Sequence, residues 1–134
     1  FELESGETVS LSGKIDKIEY LDDLFGGRIN IIDYKTGRTF SQKTKEEKED
    51  YERQIVFYHL LLDKYEDNFK INASFLDFVE PNKKGGFEQH TFPVGEEELA
   101  KLKAEINTCA REVLSLEFLK KGCGKKSCEW CSLL

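Results

Sequence analysis

The sequence predicts a mixed α/β fold in the order β-β-α-β-β-α, on three observations. Two β-branched runs, from Thr8 to Tyr20 and from Arg28 to Lys35, flank a turn-rich stretch at Leu21 to Gly27. A capping-box spacing, Thr44-x-x-Glu47, opens one helical pattern, and a second begins at Glu96. Between them, Ile71 to Val79 and Phe87 to Phe92 bracket a Pro81 to Gly86 turn, as a hairpin would.

Each element has a local reason. Val9, Leu11, Gly13 and Ile15 alternate, so Thr8 to Tyr20 reads as one long strand. Asp22, Asp23 and the Gly26-Gly27 pair signal a turn, so this strand and the next should pair as an antiparallel hairpin. The first helix is expected from Thr44 through about Tyr65. Its stretch Ile55 to Leu62 is apolar on nearly every face, which implies cover on more than one side. The second helix is expected from Glu96 to about Phe118, with a stripe of Leu99, Leu102, Ile106, Cys109, Val113 and Leu116 at three-to-four spacing. Within that stripe Cys109 reads as a buried core thiol rather than a ligand.

At 134 residues the chain fits one domain. A hydrophobic share of 39% against 34% charged residues is ordinary for a water-exposed protein, and no apolar run approaches the roughly 20 residues a membrane span needs. No membrane partner is expected. The net charge of −6 argues against bulk electrostatic coating of nucleic acid. The clearest basic cluster is Lys120, Lys121, Lys125 and Lys126. A start at Phe1 with no signal-like segment leads us to expect a piece of a longer polypeptide, monomeric and cytoplasmic, with reduced or metal-bound cysteines rather than disulfides.

The chemistry-bearing stretch is Ile31 to Gly37, IIDYKTG. Asp33 and Lys35 stand two apart in an apolar run, so on a strand both project from one face. Setting a carboxylate and an ammonium among aliphatics carries a desolvation cost of roughly several kcal/mol unless pairing, a metal or chemistry offsets it. Upstream stands Gly13-x-x-Asp16 and downstream Gln54-x-x-x-Tyr58, whose members lie one helical turn apart. A hairpin can bring Asp16 near Asp33, with the register left open by the sequence.

This ordered set resembles the core motifs of the PD-(D/E)XK nuclease superfamily, specifically its RecB-like branch as found fused to UvrD/Rep-type helicases. The resemblance covers residues 9 to 62 and extends into a cysteine-rich tail. It implies a restriction-endonuclease-like core, a central mixed sheet flanked by helices, with the family's first helix missing from this chain. Residues 1–118 would form the nuclease core and 119–134 a separate tail. RecB-like members commonly place a histidine in the missing region. Here His59 and His90 do not match it, and His59 reads as a packed or partly exposed helix residue.

What the resemblance implies is a deoxyribonuclease dependent on Mg²⁺ or Mn²⁺, exonuclease type favoured, serving as the C-terminal module of a helicase-nuclease in repair or recombination. Its partners would be DNA and the helicase domains of the same polypeptide. Asp16, Asp33 and the backbone carbonyl of Tyr34 are the implied metal ligands. Lys35 would orient or deprotonate the attacking water, Gln54 would position water or phosphate, and Tyr58 would hold the helix face. Glu19 is a weaker candidate, because Lys17 stands where relatives carry an arginine.

The tail places Cys123, Cys128 and Cys131 around Trp130. It resembles the end of RecB-like domains in which one upstream and three downstream cysteines hold a [4Fe–4S] cluster. In this chain three thiolates make an incomplete set, so a cluster is an expectation for the full-length parent only. Two other readings stay open at this point: a catalytically inactive nuclease-fold module that binds DNA or a partner protein, and a small zinc module for protein contacts.

Overall fold

Residues 1–21, 27–65 and 69–120 are described by the structure, a computed structural model. The element order is β1 (Lys17–Tyr20), β2 (Arg28–Lys35), a 3-10 turn (Phe40–Gln42), α1 (Lys45–Asp63), β3 (Lys70–Phe78), β4 (Glu88–Thr91), α2 (Glu96–Leu114) and a last 3-10 turn (Glu117–Lys120). The chain is thus a mixed α/β protein of the restriction-endonuclease-like kind. The four strands form one sheet in the order β1-β2-β3-β4. Both sequence hairpins are antiparallel, and β2 pairs with β3 in parallel, with α1 as the connection between them. Parallel neighbours require such a crossover.

The chain divides into two units, residues 11–102 and residues 1–10 with 103–134. In the first, Ile29 and Ile31 of β2, Leu76 and Phe78 of β3, Phe92, and Ile55, Tyr58 and Leu62 of α1 form the buried cluster. Burial of Ile55, Val56, Tyr58, Leu60 and Leu62 reaches around most of α1, as its apolar middle requires. The helix begins where the sequence predicts: Thr44 Oγ1 accepts from Glu47 N at 3.3 Å, and Thr44 N donates back to Glu47 Oε2 at 2.8 Å. Two backbone donors left open by the helix start are thereby satisfied.

Three sequence expectations need correction. The strand expected over Thr8 to Tyr20 is a ladder only at Lys17–Tyr20. Val9 instead exchanges hydrogen bonds with Phe1, 2.9 Å from Val9 N to Phe1 O and 3.0 Å from Phe1 N to Val9 O, and Thr8 bridges Glu2. Alternation marks a segment able to pair and leaves open what it pairs with.

The second helix ends at Leu114 rather than near Phe118, because Leu116 takes a left-handed backbone (φ 58) that no helix continues through. Along it only Leu102 is buried, while Cys109, Val113 and Leu116 are exposed, so Cys109 is not a core thiol. Three-to-four spacing creates a face that can be covered, and on this one Ile106 is half-buried while the stripe from Cys109 onward stays exposed.

Candidate active site

Asp33 and Lys35 lie at the carboxyl end of β2, just before Gly37, whose φ of 80 turns the chain out of the sheet. A left-handed residue there favours glycine, which accounts for the last letter of the IIDYKTG stretch. Carboxyl ends of parallel strands are where α/β sheets gather functional groups. Strand alternation puts Ile29, Ile31, Asp33 and Lys35 on the face that α1 covers.

Asp33 is only 2% exposed. Three side chains from two elements compensate for its burial and close a ring with it. Lys35 Nζ stands 2.6 Å from Asp33 Oδ2 and donates to Gln54 Oε1 at 2.6 Å. Gln54 Nε2 donates to the Tyr58 hydroxyl at 2.7 Å, and Tyr58 donates to Asp33 Oδ1 at 3.0 Å. The four-residue spacing of Gln54 and Tyr58 on α1 makes their mutual bond possible. Burial first, and the Asp33 charge second, push the Tyr58 hydroxyl up to about 12. It is therefore a fixed proton donor at neutral pH.

Asp33 Oδ2 accepts no well-aligned hydrogen bond among the described residues, although the Lys35 ammonium is 2.6 Å away. The short separation settles the charge pairing, and the poor angle leaves a lone pair of a buried carboxylate without a donor. Nearby stands Asp16. The β1–β2 ladder ends with Lys17 paired to Ile32, and Asp16 comes immediately before Lys17 in the chain, at the Asp33 end of β2. Asp16 Oδ2 accepts the Tyr34 N–H at 2.9 Å, closing the end of the ladder with a side chain. A strand residue's carbonyl points to the same side as its N–H, so the Tyr34 carbonyl also faces the Asp16 edge.

Among the described residues no three His, Cys, Asp or Glu side chains come together as a metal site. A divalent cation would rest on two carboxylates, one carbonyl and water, an all-oxygen set that suits Mg²⁺ or Mn²⁺. The open lone pair on Asp33 Oδ2 and that donor set fit such an ion.

Glu19 does not join this group. It lies on the opposite face of the sheet, paired with Lys17 at 3.0 Å and accepting from Asn30 Nδ2 at 3.3 Å. His59 bonds Ser74 Oγ at 2.7 Å on the core side of α1, a packed helix residue as the sequence suggests. Cys123, Cys128 and Cys131 lie outside the described residues. Sequence reasoning missed Tyr51, whose ring centroid is 4.8 Å from Lys35 Nζ and 5.3 Å from Lys43 Nζ. Its spacing, three before Gln54 and seven before Tyr58, is the signal that marks it for the same helix face.

Comparison with known proteins bears on the same residues. Over 36 residues the chain is 53% identical to one component of the ATP-dependent helicase/deoxyribonuclease of Alkaliphilus oremlandii (strain OhILAs), a stretch that makes up 27% of this chain and 3% of that relative. So small a part of the relative carries the likeness of a segment, and the whole relative's activity is not transferred with it. The broader match runs from residue 1 to residue 134, through the strand and the helix that build the ring, and by it the chain belongs to the PD-(D/E)XK nuclease superfamily.

Proposed function

We propose that this nuclease domain hydrolyses phosphodiester bonds of DNA with a divalent cation, Mg²⁺ or Mn²⁺, as a deoxyribonuclease of exonuclease type. The observation that carries this reading is the buried Asp33 carboxylate, ion-paired to Lys35 through Oδ2 yet with a lone pair of that oxygen left without a well-aligned donor, and Asp16 beside it at the Tyr34 N–H. A purely structural ion pair gains nothing from that open lone pair.

Asp16, Asp33 and the Tyr34 carbonyl would hold the cation, which when bound supplies Lewis acidity and a more acidic water. The chain's own groups do the rest. Lys35 Nζ, fixed between Asp33 and Gln54, orients the attacking water and offsets negative charge developing on the phosphate. Gln54 keeps that ammonium in place, and its amide is in turn directed by the Tyr58 hydroxyl. Tyr58 holds the Asp33 carboxylate in one rotamer through Oδ1, so Oδ2 faces the site. The relative's name supports a setting within a larger helicase-nuclease. In our reading this domain is the C-terminal module of such a protein, acting in DNA repair or recombination with DNA and the helicase domains as partners.

The test is cleavage of end-labelled linear DNA by the wild type and by Asp33→Ala, with Mg²⁺, with Mn²⁺ and with a chelator. Asp33→Ala should lose at least about a hundredfold in cleavage while DNA binding is largely kept, because the loss falls on the transition state. Undiminished cleavage by the variant overturns the assignment. DNA binding by the wild type without any cleavage would favour the inactive-module reading instead.

A further inference from the structure

An ammonium group carries three N–H donors. Lys35 directs its charge at Asp33 Oδ2 and at Gln54 Oε1, each at 2.6 Å. Its third neighbour is aromatic: the Tyr51 ring, centroid 4.8 Å from Nζ, within the range in which a ring's quadrupole attracts a cation. The ring is itself braced. Tyr51 stands on α1 one turn ahead of Gln54, and Phe78 of β3 meets it edge-on at 6.4 Å between centroids. Phe78 is also the β3 residue in register with Lys35, so strand pairing and helix packing converge on the same place. Lys43, held near Glu47 at 3.7 Å, sets a second cation 5.3 Å from the same ring.

We propose that Tyr51 is a positioning residue for Lys35, its ring holding the ammonium between Asp33 and Gln54 where the hydrolysis proposed above requires it. A lysine has four rotatable bonds and keeps much rotamer freedom when one contact alone holds it. Two oxygen partners occupy at most two of its three N–H directions. A ring against it removes that freedom without adding an acceptor that would compete for its protons. The inference rests on the nuclease reading, since it gives the ring a task in that reaction.

The experiment compares wild type, Tyr51→Phe, Tyr51→Leu, Tyr51→Met and Asp33→Ala. Steady-state cleavage of linear DNA with Mg²⁺ and with Mn²⁺ is read alongside the proton shift of the Lys35 ε-methylene, which a facing ring moves upfield. Tyr51→Leu and Tyr51→Met should lower kcat about tenfold with KM changed by less than about twofold, and the upfield shift should vanish. Tyr51→Phe should keep the shift and restore kcat to within about threefold of wild type, because the ring is retained. Should one aliphatic variant fail to fold, the other and Tyr51→Phe still decide. Full kcat in a folded aliphatic variant beside an inactive Asp33→Ala overturns this inference alone, as does Tyr51→Phe falling as far as Tyr51→Leu. Normal cleavage by Asp33→Ala overturns the nuclease reading, and with it the task assigned to the ring, while the ε-methylene shift still reports the contact.

Discussion

Tyr58 of α1 donates its hydroxyl proton to Asp33 Oδ1 of β2 across 3.0 Å, and the same hydroxyl accepts from Gln54 Nε2 at 2.7 Å. One phenol therefore joins the helix to the strand and satisfies a buried carboxylate. Tyr58→Phe keeps the ring's packing and leaves both partners short of a bond, which should lower stability by about 1–3 kcal/mol. Urea unfolding should show a lower midpoint with an unchanged slope. An unchanged midpoint would mean that another donor reaches Asp33.

The same hydroxyl predicts an alkaline limb. Its folded-state pKa, pushed up to about 12 by burial and then by Asp33, stands above the ordinary tyrosine value, so the unfolded chain gives up that proton first. The stabilisation is complete below about pH 10 and is lost as pH rises through about 12. Unfolding measured across that window should steepen in the wild type and flatten in Tyr58→Phe. Parallel curves would show that the hydroxyl titrates normally.

Asp33 and Lys35 should be strongly coupled. Lys35→Met removes a charge and leaves the buried Asp33 carboxylate with Tyr58 alone, and Asp33→Asn leaves the ammonium with Gln54. Each single change should cost more than half of what the double change costs, with an interaction energy of about 1–3 kcal/mol in a double-mutant cycle. Additive effects would show that the 2.6 Å pair contributes little to stability. Activity separates from this: Lys35→Arg keeps the charge but should still impair cleavage, because a planar guanidinium cannot take the ammonium's place or act as a base.

What was legible in the sequence was local. The two-residue spacing of Asp33 and Lys35 shows a shared face, the Thr44 and Glu47 pair shows a helix start, and Pro81 to Gly86 shows a turn, which the structure closes through Asn82 N to Gly86 O at 2.7 Å. Each follows from backbone period or a single cap. The limit of β1 was not legible, because Val9 could pair with β2 or with Phe1 and alternation is the same in both cases. Exposure of Cys109 depended on what covers α2, and no periodicity encodes a cover. The bonds that join Gln54 to Lys35 and Tyr58 to Asp33 cross from helix to strand, so motif order could bring those residues to notice without showing the ring they close.

Gly13 has a packing reason of its own. A Cβ built there would lie 2.8 Å from Leu61 Cδ1 and 3.3 Å from Phe57 Cε1, both on the α1 surface. The Leu61 methyl can swing aside more readily than the Phe57 ring. Gly13→Ala should therefore destabilise by about 1 kcal/mol and Gly13→Val by about 2–3 kcal/mol, the overpacking range. Thermal unfolding of the two variants checks this, and a neutral Gly13→Val would mean that the segment ahead of β1 does not approach the helix so closely.

His59 gives the acid limb. Its Nε2 is 2.7 Å from Ser74 Oγ of β3, and Ser74 is itself buried, so the pair is a hydrogen bond within the core whichever group donates. Burial alone lowers the imidazole pKa to about 4, with no neighbouring charge contributing. A proton binds the unfolded chain near pH 6.5 and is refused by the folded one until about pH 4, so the unfolded state holds more protons between those values. The stabilisation is complete above about pH 6.5 and is lost as pH falls toward about 4, on the order of 2 kcal/mol in all once solvent screening of this part-exposed ring is allowed for. Carboxylates also titrate in the lower part of that range, so the difference between wild type and His59→Gln isolates the histidine: it should be flat above about pH 6.5 and fall toward pH 4. Proton NMR of the ring gives the pKa directly. A His59 that titrates near 6.5 in the folded protein would place α1 away from β3 at this position and remove the acid limb.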